Sequence, residues 1–158
     1  MSDGEGVDLI EGLVGIMRPQ AEAKSMTVRT VIAQRLPVIE TDPGKRREFA
    51  ARALAMVRER HARYFTGPTA AYAELESLFL TMEGVGQWAA YRLARMNAGG
   101  NDAEALRLVR DNKRYWSQDQ GLALFLLVDA LVPNWQARVF APAPASPFAL
   151  LEEAVAGR

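Results

Sequence analysis

Two side chains in this sequence could do acid–base or metal chemistry from within apolar helices: Glu83 and His61. Glu83 lies in the stretch Thr81-Met82-Glu83-Gly84-Val85-Gly86-Gln87-Trp88-Ala89-Ala90-Tyr91. A carboxylate there must be solvated, paired or bound to a cation. Left alone in apolar surroundings it costs several kcal/mol. The apolar series Tyr72, Leu75, Phe79, Met82, Gly86, Ala89, Leu93, Met96 steps by three and four, which draws one continuous seam along a helix. Glu83 falls beside that seam. Gly84 and Gly86 follow it, and each glycine costs about 1 kcal/mol relative to alanine in a helix interior. Something other than helix formation must require bare backbone at those positions. A carboxylate followed by close packing has the character of a site.

The partners for such a site are scarce. The chain has one histidine and no cysteine. Chemistry that needs two imidazoles, a thiolate, a disulfide or a cysteine-bound metal is excluded within one copy. His61 can be a base or a ligand, or a hydrogen-bonded residue at the core or its rim. Trp88, Tyr91, Tyr115 and Trp116 are candidates to line a groove, with Gln87, Gln118, Asp119 and Gln120 as its polar groups. The same aromatic residues can equally bury their rings and hydrogen-bond their tips, and Asp119 can simply charge the first turn of its helix. For Glu83 the plain alternative is an ion pair with Arg92 or Arg95. Basic residues such as Lys45, Arg46, Arg47, Arg107, Arg110, Lys113 and Arg114 are balanced elsewhere, with 19 basic and 19 acidic residues in all. Glu48–Arg52 and Glu59–Arg63 have the spacing of helix-surface pairs. No nucleic-acid partner is expected from that balance, and no glycine-rich phosphate loop, serine nucleophile motif or calcium loop is present.

The elements that must position these side chains read as helices. Residues Val7 to Met17 and Glu22 to Leu36 form two helical patterns, and Leu36-Pro37-Val38-Ile39 is the sole short strand candidate. Asp42-Pro43 starts a helix with Asp as N-cap and Pro at the first position, running to about Phe65. Gly67-Pro68 breaks it, and Thr69 is the expected cap of the long helix that carries Glu83. Asn97-Ala98-Gly99-Gly100 ends that helix. Asn101 caps a helix over Asp102 to Lys113. Ser117 with Gln120 resembles a capping box before an apolar helix from Gly121 to Val132, which must be central. Pro133-Asn134-Trp135 turns the chain, and Ser146-Pro147 starts a last helix through Val155. The sequence predicts an all-α single domain over residues 1–158, with 1–18 as an attached N-terminal segment. Its six or seven helices pack orthogonally or as a bundle, with Trp88, Phe125 and Leu126 in the core. The most apolar run has twelve residues with Asp129 inside, too few to span a bilayer. The acidic start has no signal-peptide pattern, so a soluble, cytoplasmic chain is expected.

From about Leu36 onward the order of features resembles the C-terminal helical part of gluzincin-type zinc metallopeptidases and the bacterial proteins similar to them. In those families an HExxH helix supplies two zinc histidines and the catalytic glutamate, and a later helix supplies a third ligand. Glu83-Gly84-Val85-Gly86-Gln87-Trp88, with Tyr91 a turn further, matches that later helix. The resemblance implies that Glu83 is a zinc ligand or descends from one. No HExxH occurs in the chain; Arg58-Glu59-Arg60-His61 is the nearest arrangement. Catalytic zinc needs three protein ligands and an open position. The chain by itself is therefore expected to be catalytically incompetent and to hold no cofactor, with zinc bound only if other sequence completes the site. The alternative is a non-enzymatic helical module that binds a partner protein or an apolar ligand, or forms a homodimer. A face of the last helix with Phe148, Leu150 and Leu151 is the expected contact.

Overall fold

A computed structural model describes residues 42–111 and 115–157. The expected N-terminal helices, Val7 to Met17 and Glu22 to Leu36, and the strand candidate at 36–39 lie outside the described residues. Among the described residues there are six α-helices and no strand, as the sequence pattern predicts. No helix among them is long and apolar enough to cross a membrane.

Helix α1 spans Pro43–Tyr64. The Asp42 carboxylate accepts the Gly44 N–H at 2.7 Å and the Lys45 N–H at 3.4 Å, satisfying donors that a helix start leaves open. Its buried residues, Ala50, Ala53, Leu54 and Val57, recur at three- and four-residue steps. A short 3₁₀ turn, Gly67–Thr69, follows, with Gly67 at φ +56°, a conformation that suits glycine. The Thr69 hydroxyl donates to the Tyr64 carbonyl at 2.8 Å and the Thr66 carbonyl at 3.0 Å. It thus ties the end of α1 to the turn and does not serve as the expected cap of the long helix. Helix α2, Tyr72–Asn97, begins three residues later. It closes where the Gly100 N–H reaches back to the Arg95 carbonyl at 2.8 Å.

Helix α3 covers Asp102–Asp111, and the Asn101 side chain accepts the Glu104 N–H at 3.1 Å, the cap read from the sequence. Helix α4 spans Trp116–Leu131 and starts before Gly121. The capping interaction shifts with it: the Gln118 side chain accepts the Tyr115 N–H at 3.3 Å, while Ser117 and Gln120 are buried inside the helix. The earlier start places Trp116 against the core. Helix α5, Trp135–Val139, follows Asn134 at φ +55°. In helix α6, Pro147–Val155, the Ser146 hydroxyl accepts the Ala149 N–H at 3.2 Å.

Helix α4 is the central rod. Every residue from Asp119 to Val128 is buried. One cluster gathers Leu54, Leu80, Leu124, Phe125, Leu127, Val128, Trp135, Leu150 and Leu151. A second gathers Tyr91, Ala105, Leu106, Val109, Leu122 and Leu126, and Trp88 packs on both. Phe125 and Leu126 are therefore core residues, as expected, and Trp88 meets Trp135 edge to face with ring centroids 4.9 Å apart. Two expectations are overturned here. Leu150 and Leu151 are fully buried and Phe148 packs on the same cluster, so the proposed contact face of the last helix is interior. The continuous apolar seam read along α2 does not turn into the core: from Phe79 to Met96 it faces outward.

Candidate functional site

Helix α2 has two apolar sides, and its glycines decide which one turns inward. A Cβ built on Gly84 would lie 2.5 Å from the Phe125 ring and 2.7 Å from the Gly121 carbonyl oxygen. One built on Gly121 would lie 2.7 Å from Gly84 Cα. The two glycines let the backbones of α2 and α4 touch, which fixes Glu76, Leu80, Gly84 and Tyr91 as the buried row. The opposite row is left uncovered by the described residues. Phe79 is 41% exposed, Met82 64%, Leu93 60% and Met96 77%, with Leu78 beside them at 55%. Between these large side chains lie Gly86 and Ala89, both exposed. A Cβ on Gly86 would meet nothing within 4 Å. The helix thus carries a helix-weakening glycine on its outer face that no described contact requires.

Glu83 stands beside Met82 at the rim of this row and is half-buried. It has no hydrogen bond or ion pair among the described residues, and the two arginines proposed for it are engaged elsewhere. Arg92 pairs with Asp129 at 3.5 Å and lies over the Trp88 ring at 5.5 Å. Arg95 pairs with Asp102. His61 is not brought to Glu83: its Nε2 lies 2.6 Å from a carboxylate oxygen of Glu76, two turns earlier on α2. Arg60 Nη2 lies 2.7 Å from the other oxygen of Glu76, which is buried. His61 and Arg60 of α1 thereby clamp α2, the rim role that its apolar surroundings left open for His61. No group of three His, Cys, Asp or Glu residues that could hold a metal is present among the described residues.

The four aromatic residues proposed for a groove do not line one surface. Trp88 and Trp116 pack on the first cluster, Tyr91 belongs to the second, and Tyr115 is exposed. Tyr91 donates its hydroxyl to Asp102 at 2.6 Å, so α2 and α3 share a carboxylate that Arg95 also holds. The Tyr91 hydroxyl, and then the guanidinium of Arg95, draw the Asp102 carboxyl below its ordinary value. Burial, and then the adjacent carboxylate, push the Tyr91 phenol well above its ordinary value. These groups, with Arg46 and Asp129, line a cleft of about 260 Å³. Two of its arginines are matched by carboxylates, Arg95 by Asp102 and Arg92 by Asp129, which also accepts the Trp135 indole N–H at 3.0 Å.

Asp119, offered as a groove residue or a first-turn charge, is buried, with Arg110 Nε at 3.0 Å. Gln120 is buried too, and neither of its amide atoms has a partner among the described residues. The helix-surface pairs expected at Glu48–Arg52 and Glu59–Arg63 do not form among the described residues, and nearby arginines find other partners. Arg58 bridges to Glu152 on α6 at 2.8 Å, and Arg63 lies over the Tyr64 ring. Sequence reasoning missed Glu76, Asp102 and Asp129. Each is a carboxylate within an otherwise ordinary helical stretch, and only the tertiary packing supplies its partners.

Comparison of the chain with family models, with curated proteins and with solved structures gave no match.

Proposed function

We propose that this chain is a non-enzymatic helical docking module whose binding surface is the outer face of α2. One observation carries the reading: a row of large apolar side chains along the longest helix, Phe79, Met82, Leu93 and Met96 with Leu78 beside it, stands open while most comparable residues elsewhere in the described chain are buried. Large contiguous apolar patches mark interaction sites on soluble proteins. The spacing suits a helix laid along the face, since recognition of an amphipathic helix uses anchors at three- and four-residue steps. The partner is a protein, a second copy of the chain included. The internal pairing of the arginines and the zero net charge favour neither nucleic acid nor any other polyanion. A Met82→Glu, Leu93→Glu double variant tests the reading. Neither side chain supports the described core, so its helical circular dichroism is expected to stay unchanged while association is lost. A variant that associates as the parent does would refute the assignment of this face.

A second reading follows from Glu83, which lies at the rim of the same face without a partner among the described residues. In the manner of a gluzincin third ligand, it would meet zinc only with imidazoles supplied from outside this chain, since His61 is held on Glu76. Zinc titration of the chain against its Glu83→Gln variant tests this. Zinc binding that depends on Glu83 supports the reading, and identical titrations exclude the residue as a ligand here.

A further inference from the structure

We infer that the occupant of the α2 face is α2 of a second copy, laid antiparallel across it with Gly86 and Ala89 at the crossing; this rests on the docking reading above. The size profile of the row is the first support. In sequence order it reads large, large, small, small, large, large: Phe79, Met82, Gly86, Ala89, Leu93, Met96. Turned end for end, Phe79 meets Met96, Met82 meets Leu93, and Gly86 meets Ala89. In an antiparallel twofold pair such a palindrome places the small residues together at the centre and the large ones together toward both ends.

Gly86 is the second support. Two straight helices crossing at an angle approach closest at one point and diverge on either side. Small residues belong at the crossing and long ones where the axes separate. Gly86 has open space around its Cα, so its missing side chain answers no contact among the described residues, in contrast to Gly84 against Gly121. A second backbone passing over Gly86 supplies the reason.

Charge and area agree. The charged residues flanking the row are Glu83 and Arg92. In the antiparallel register Glu83 falls beside Ala90 of the second copy and Arg92 beside Val85, so no like charges meet. The opposed helix dipoles favour antiparallel over parallel. Phe79 keeps 41%, Met82 64%, Leu93 60% and Met96 77% of its surface open, the apolar surface that a pair of copies would bury.

The chain contains no cysteine, so the register can be read by cross-linking. Met82→Cys and Leu93→Cys are introduced separately into the full chain, and the two proteins are mixed and mildly oxidised. The expected result is a dimer by sedimentation at tens of micromolar. The disulfide that joins one variant to the other should exceed the two self-linked products together by severalfold. A dimer linked mainly through like positions would overturn the antiparallel register. A monomer would overturn the second copy as occupant, and maleimide labelling of Met82→Cys then separates the two readings. Slow labelling at every dilution means that the chain's own remaining residues cover the face, which removes the docking reading together with the dimer. Fast labelling at every concentration leaves the face open for a protein other than a second copy, so the docking reading stands and the dimer alone is removed.

Discussion

Gly84→Ala is a perturbation whose cost follows from the packing of α2 on α4. On an unpacked helix surface this change would stabilise by about 1 kcal/mol, since alanine is the better helix former. Here the new methyl would meet the Phe125 ring at 2.5 Å and the Gly121 carbonyl at 2.7 Å. The ring can turn aside, but the carbonyl belongs to the backbone of the central helix, so α2 and α4 must separate. Overpacking of this kind costs about 1–3 kcal/mol, and a contact against backbone places it at the upper end. The net expectation is a loss of about 2 kcal/mol, or a melting temperature lower by roughly 4–8 °C for a chain of this length. Gly86→Ala is the control, because its methyl meets nothing within 4 Å. Measured at high dilution, where association contributes little, it should raise stability by about 0.5–1 kcal/mol. Thermal and urea unfolding of the two variants, followed by circular dichroism, supply the comparison. Equal gains in both would refute the glycine contact as the feature that selects the inner face of α2.

The remaining predictions concern polar groups inside the fold. Glu76→Ala leaves Arg60 buried without its counter-ion and should cost about 3–5 kcal/mol in urea unfolding; a loss below about 1 kcal/mol would show that Arg60 finds water or another partner. Gln120→Leu removes a buried amide with no partner among the described residues and should raise stability by about 1 kcal/mol, whereas a fall would reveal a hydrogen bond made to it. The Asp102 carboxyl is held below its ordinary value in the folded chain. Its contribution is therefore present above about pH 4 and is lost as pH falls through the depressed value. Asp102→Asn should flatten the acid limb of melting temperature against pH. The Tyr91 phenol is raised, so its contribution is present below about pH 10 and is lost as pH climbs; Tyr91→Phe should flatten the alkaline limb and lower stability in the neutral region by about 1.5–3 kcal/mol, the worth of a hydrogen bond to a charged group.

Local chemistry made most of the helices legible. Asp42-Pro43, Asn101 and Ser146-Pro147 are caps whose side-chain oxygens satisfy nearby N–H groups, a purely local demand that the structure meets at each position. The centrality of α4 was equally plain, because an apolar helix with no polar side has no stable place on a surface. The orientation of α2 was not legible. Its apolar residues fall on both sides, and periodicity gives a face without saying which partner it meets. The contact of Gly84 with Gly121 resolves that choice, and it joins residues 37 positions apart. The same limit hid the Glu76 and Asp102 clusters, whose partners come from neighbouring helices. Glu83 drew notice because it stands among apolar residues on α2. The structure retains that setting, but it is the rim of an open face and not the edge of the core.

Methionine oxidation of the unaltered full chain tests the central claim most directly. Met82 and Met96 are left open by the described residues. Under limiting peroxide at tens of micromolar protein, with each site followed by mass spectrometry, a covered α2 face predicts that both oxidise at least about tenfold more slowly than in the urea-unfolded chain, and that Met82→Glu releases Met96. Oxidation of both at the unfolded rate, unchanged across protein concentrations, would contradict a second copy as the occupant of this face.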